Sequence, residues 1–95
     1  MKNFAEMKRA LTLGVKVVMT RHDWFPTGGV VGVIREVSKV QGNAIAFRRL
    51  DTDTQSWLHF DGGASSFIFD GTDSFSVKLN PEVNPPALMT YKIVG

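Results

Sequence analysis

Cysteine is absent from this chain, which excludes disulfides, thiolate nucleophiles and cysteine-ligated zinc. Histidine is scarce, with only His22 and His59. An acid–base pair would need both at one phosphate, and nothing in their spacing requires that. Beside His22, Asp23 adds one adjacent ligand, and two neighbours do not complete a metal site. No run approaches the roughly 18 apolar residues of a membrane-spanning helix. The first residues, Met1–Thr12, mix Lys2, Glu6, Lys8 and Arg9 with apolar positions, and are expected to be neither signal peptide nor anchor. Asp51-Thr52-Asp53 and Asp70-Gly71-Thr72-Asp73 do not have the following glycine and bidentate glutamate of an EF-hand loop at the right places, so they read as ordinary turns. No phosphate loop or nucleophile motif accompanies these residues. The expectation is a noncatalytic cytoplasmic protein with no cofactor, no metal and no membrane contact.

What remains is ordinary globular material. At 95 residues, 43% hydrophobic and 21% charged, the chain suits one folded domain with a modest core. Net charge is +2, but the balance is lopsided: nine Lys and Arg against three Asp and Glu through residue 49, then two against six. Such a chain folds into either a mixed surface or a dipolar one with a basic face.

Asn3 with Glu6 three residues on forms an Asn variant of the capping box, and Phe4, Met7 and Leu11 share one helical face. A helix over 3–12 is predicted, ended by Gly14 and packed across an open sheet face. Lys8 and Arg9 suit the negative end of its dipole. From Val15 to Thr20 the apolar period becomes two, that of a half-buried strand. Val30–Val40 reads as a long strand, apolar on both faces at first, with a bulge or bend at Gly32. Gln41-Gly42-Asn43 turns it into a hairpin with Ala44–Leu50. A further strand is expected over Ser56–Phe60, then a break at Asp61–Ala64. Phe67–Phe69 and Phe75–Leu79 form a second hairpin.

Pro81, Pro85 and Pro86 make 80–87 an extended linker. Leu88–Val94 then returns as a final edge strand or trails as a mobile tail. The domain is thus read as 1–80 with an appended 81–95. An exposed last strand would offer a route to a homodimer. The fold class is mainly β (α+β): a small SH3-like barrel or strongly bent antiparallel sheet with a short N-terminal helix.

The most informative segment is Arg21-His22-Asp23-Trp24-Phe25-Pro26-Thr27-Gly28-Gly29, which puts two large aromatics between two β-branched runs. Trp24 and Phe25 either plug one end of the fold or stand out as a recognition loop stiffened by Pro26. With Arg21 they would suit stacking and phosphate contact. Arg48 and Arg49 lie on opposite faces of their strand, and Arg48 joins a basic stripe if it shares a face with Arg35 or Lys39. Trp57 and His59 oppose Leu58 and Phe60. The second pair is cheaper to bury, which leaves Trp57 and His59 as another aromatic contact, with a buried Trp57 as the alternative.

Leu13-Gly14-Val15-Lys16-Val17, then Gly28-Gly29-Val30-Val31-Gly32-Val33-Ile34, then Val37–Phe47 resembles the opening of SH3-like barrels of the KOW kind. The resemblance covers residues 13–47. It implies a small barrel, and KOW-type domains commonly bind RNA or ribosome-associated proteins. The front helix, long aromatic loop and Pro-rich tail depart from that pattern.

The functional expectation is a protein-interaction module, an accessory or inhibitory protein of the kind a phage or mobile element encodes, acting through loop 21–29. A protein partner is favoured because a net +2 is small for a dedicated nucleic-acid binder. The alternative is nucleic-acid binding through Arg21, Trp24, Phe25, Arg35, Lys39 and Arg48.

Overall fold

The computed structural model describes residues 1–26, 29–60 and 63–95; Thr27–Gly28 of the aromatic loop and Asp61–Gly62 of the expected break lie outside them. Among the described residues one α-helix, α1 (Phe4–Ala10), precedes seven strands: β1 (Lys16–His22), β2 (Ile34–Val40), β3 (Ala44–Arg49), β4 (Gln55–His59), β5 (Phe67–Phe69), β6 (Ser74–Lys78) and β7 (Leu88–Ile93). They form a single sheet in the order β4-β3-β2-β1-β7-β6-β5, antiparallel at every pairing.

Period-two alternation decides the faces. Val17, Met19, Val37, Ile45, Phe47, Leu58, Phe75, Val77 and Tyr91 are buried in one core with Met7 of α1 and Leu11 just past its end. Aromatic contacts show how far the sheet bends. Phe47 in β3 and Tyr91 in β7 are three strand spacings apart, about 14 Å in a flat sheet, yet their rings stack at 5.1 Å. Phe75 continues the stack at 5.4 Å from Tyr91. Phe60, just past β4, and Phe67, in β5, belong to opposite edges and lie 6.0 Å apart. Phe4 of α1 packs on both, at 5.3 and 5.1 Å. Among the described residues no ladder joins β4 to β5, so the sheet is strongly bent but not closed.

Asn3 caps α1, its Oδ1 accepting from the Glu6 N–H at 2.9 Å. The Glu6 carboxylate reaches back one residue further than a capping box requires, accepting from the Lys2 N–H at 2.5 Å. The helix is shorter than the predicted 3–12, because Leu11 already leaves helical geometry as the C-cap. Lys8 lies 5.6 and 5.7 Å from the centroids of Phe4 and Phe60, so its ammonium caps an aromatic cluster as well as a helix end.

Three expectations are corrected. Val30–Val33 is not strand: Gly29 and Gly32 take φ of +82° and +87°, values that favour glycine, and the Gly32 N–H donates to the Met19 carbonyl at 2.8 Å. Of the bulge or bend expected at Gly32, the chain takes the bend, a turn at Val31–Gly32, while the strand irregularities fall between Met19 and Arg21 and between Val37 and Lys39. Residues 80–87 form a closed loop rather than an extended linker, because the Leu79 N–H donates to the Ala87 carbonyl at 2.8 Å and the Ala87 N–H to Asn80 Oδ1 at 2.6 Å. Finally, β7 is neither edge strand nor tail. It sits between β1 and β6, so the domain does not end at residue 80. A dimer through an exposed last strand is excluded, since both sides of β7 are already paired.

Candidate functional site

The sequence-predicted site residues fall into two exposed groups and one buried arginine. Arg21 and His22 close β1 beyond the start of β2, where β1 is paired with β7 alone. Asp23 then ties the departing chain to the first residue of β7. Its N–H donates to the Leu88 carbonyl at 2.9 Å, and its Oδ2 accepts from the Leu88 N–H at 2.9 Å. Arg21 grips the same carboxylate with Nε at 2.7 Å and Nη2 at 3.0 Å. The Arg21 hydrogen bond, helped by the Leu88 N–H, holds the Asp23 carboxyl below the usual carboxylate range. One step further, His22 Nδ1 accepts from the Phe25 N–H at 3.1 Å, and the His22 and Phe25 rings lie 5.2 Å apart. Trp24 and Phe25 stand on this anchored segment 52% and 60% exposed. They do not plug the fold.

The second group lies on the outer face of β2–β3–β4. Register places Lys39 opposite Ala46, which is in turn opposite Trp57. Ala44 faces His59. The Trp57 and His59 rings stack at 6.3 Å with an interplanar angle of 27°, while Leu58 and Phe60 are buried. Arg48 shares this face, but it is ion-paired with Asp53 at 2.6 Å and with Glu36 at 3.7 Å. Lys39 has no carboxylate partner among the described residues.

Arg35 joins neither group. It points into the sheet's inner side, only 5% exposed, opposite Arg49 in register. Its guanidinium donates to the Val33 and Val30 carbonyls at 3.2 Å each, and burial pulls its pKa down. The expected stripe of Arg35 with Arg48 therefore does not form: Arg48 shares its face with Lys39. Arg35 instead holds the 30–33 turn that returns the aromatic loop to β2. Arg49 is likewise committed, bidentate to Asp51 at 3.0 and 2.7 Å. His22 and His59 end antiparallel strands three positions apart in the sheet, at opposite ends of it.

Sequence reasoning missed a shallow cleft of about 450 Å³ lined by Gly32, Val33, Ile34, Leu50 and Asp51. Its signal was hidden because Val30–Ile34 reads as continuous strand, and only the glycine turn lifts Val33 and Ile34 towards Leu50. Among the described residues no cluster of His, Asp and Glu has metal-binding geometry, and no helix is long and apolar enough to cross a membrane. Comparison of the chain with protein-family models, with curated proteins and with solved structures finds no match.

Proposed function

We propose that the protein is a noncatalytic binding module that engages a protein partner through the segment Arg21–Pro26. The observation that carries this reading is the pair of exposed aromatics on a pinned backbone. Adjacent exposed Trp and Phe are unfavourable in water and are the residue types that anchor interfaces. The Asp23, His22 and Leu88 hydrogen bonds restrict the loop before any partner arrives, which lowers the ordering cost of association. Arg21, the one cation in the segment, is already neutralised by Asp23. The surface on offer is therefore aromatic rather than basic, and suits protein better than phosphate.

The bent sheet, the glycine-led entry to β1 and the β2–β3 hairpin support reading the domain as a distorted SH3-like barrel of the KOW kind. An accessory or inhibitory role in the cytoplasm fits that reading. A second reading is nucleic-acid binding on the outer face of β2–β3–β4. The stacked Trp57 and His59 beside Lys39 favour it, since bases stack on aromatic rings. It is the weaker reading because Arg21 and Arg48 are paired with carboxylates and Arg35 is buried.

The first test is iodide quenching of a Trp57→Phe variant, in which Trp24 is the sole tryptophan; the expected outcome is ready quenching, and a shielded Trp24 would remove the site. Captured partners are then compared between the wild type and Trp24→Ala. A partner held through this loop should bind the variant at least about thirtyfold more weakly, about 2 kcal/mol, with little dependence on salt. Binding of a single-stranded oligonucleotide that falls steeply with salt and survives Trp24→Ala would favour the second reading instead.

A further inference from the structure

We propose that the β4 edge is a self-pairing surface, through which two copies of this chain form a weak two-fold dimer with a continuous sheet. This rests on the sheet's order rather than on the aromatic loop. Among the described residues the sheet has two open edges, β4 and β5. In the β3–β4 ladder the Arg49 N–H donates to the Thr54 carbonyl and the Phe60 N–H to the Asn43 carbonyl. Antiparallel pairing alternates bonded and non-bonded positions, and the unbroken register therefore turns the backbone groups of Ser56 and Leu58 towards β3. The N–H and C=O groups of Gln55, Trp57 and His59 point off the edge. All three residues are exposed, and among the described residues no partner bonds those groups.

Natural edges are blunted by lysine, proline, bulges or extreme shortness. The edge at β5 is only three residues long, Phe67–Phe69, and follows directly from the 3-10 turn Gly63–Ser66. By contrast β4, Gln55-Ser56-Trp57-Leu58-His59, has no charge, no proline and no bulge.

A second copy fits this edge in one favoured register. A two-fold axis through Trp57 makes all three outward-facing residues bonded positions, with Trp57 opposite Trp57 of the partner subunit. Gln55 of each copy then stands opposite the partner's His59, an amide beside an imidazole. On the other face Ser56 meets the partner's Leu58. No pair sets like charges together, and the two tryptophans form a cross-strand aromatic pair of the favourable kind. A five-residue edge buries well under the roughly 1,200 Å² of a stable interface, so the dimer belongs in the micromolar to millimolar range.

Sedimentation velocity of the whole chain from about 10 µM to about 1 mM, spanning weak association, should show a monomer–dimer equilibrium. Trp57→Lys should abolish it by opposing two ammonium groups, while Ile68→Lys, on β5, should not. Hydrogen exchange of the wild type across the same range keeps the test independent of the variants' folding. The amides of Gln55, Trp57 and His59 should gain protection with concentration, while those of Ser56 and Leu58 stay protected throughout. A chain that remains monomeric to the top of the range overturns the proposal. So does a dimer in which those three amides still exchange freely, including one built on Trp24 and Phe25.

Discussion

Asp23 accepts three hydrogen bonds from two directions, two from Arg21 and one from the Leu88 N–H, and so fixes where the aromatic loop leaves the sheet. Its depressed pKa gives the sign of its pH dependence. The contribution is present above the unfolded carboxylate value of about 3.9 and is lost as pH falls through the lower folded value. In an NMR titration the Leu88 amide shift should move with a midpoint below the ordinary value; a midpoint at or above it would contradict the anchor. Asp23→Ala should speed exchange of the Leu88 amide and leave core amides unchanged. Arg35 works from the other end of the loop. Arg35→Met keeps the aliphatic bulk but strands two carbonyls, and should cost about 1–3 kcal/mol in urea unfolding. A neutral result would mean that water replaces the guanidinium.

Among the elements, those set by local signals were legible in sequence. The Asn3 cap, the 41–43 turn with its two flanking strands, and the Phe67–Phe69 and Ser74–Lys78 pair all depend on neighbours a few residues away. Leu58 and Phe60 were also correctly assigned to the core, because one face of β4 had to be buried and theirs had no polar atoms to satisfy. Asn3→Ala should therefore cost about 1 kcal/mol, read as a lower midpoint in thermal unfolding followed by circular dichroism. The errors came where local pattern and tertiary context diverge. Val30–Val33 has strand composition, but Gly29 and Gly32 sit in left-handed conformations and turn it into a loop. The three prolines at 81, 85 and 86 suggested an extended linker. Their loop is instead closed at its neck by Asn80 and Ala87, contacts that no periodicity announces.

At the scale of the whole molecule, the stack Phe47–Tyr91–Phe75 joins β3, β7 and β6 and records the bend of the sheet. Phe47→Ala should cost about 3–5 kcal/mol in denaturant unfolding, since removing a fully buried ring from one end of the stack leaves a cavity that neighbouring strands cannot close. Deleting residues 88–95 is expected to abolish cooperative unfolding rather than trim an edge. That deletion removes the strand joining β1 to β6, and a chain that still melts in one transition would refute the interior placement of β7. Composition, alternation and turn chemistry already dictated that this chain makes one small β-rich domain with a capped helix, and that Trp24 and Phe25 fall between strands. Those features follow from interactions within a few residues. Folding alone settled which arginine is buried, which strand is central, which edge is open and whether the aromatics face water. Each of these depends on contacts between distant parts of the chain, and on a curl that brings opposite edges of one sheet together over Phe4.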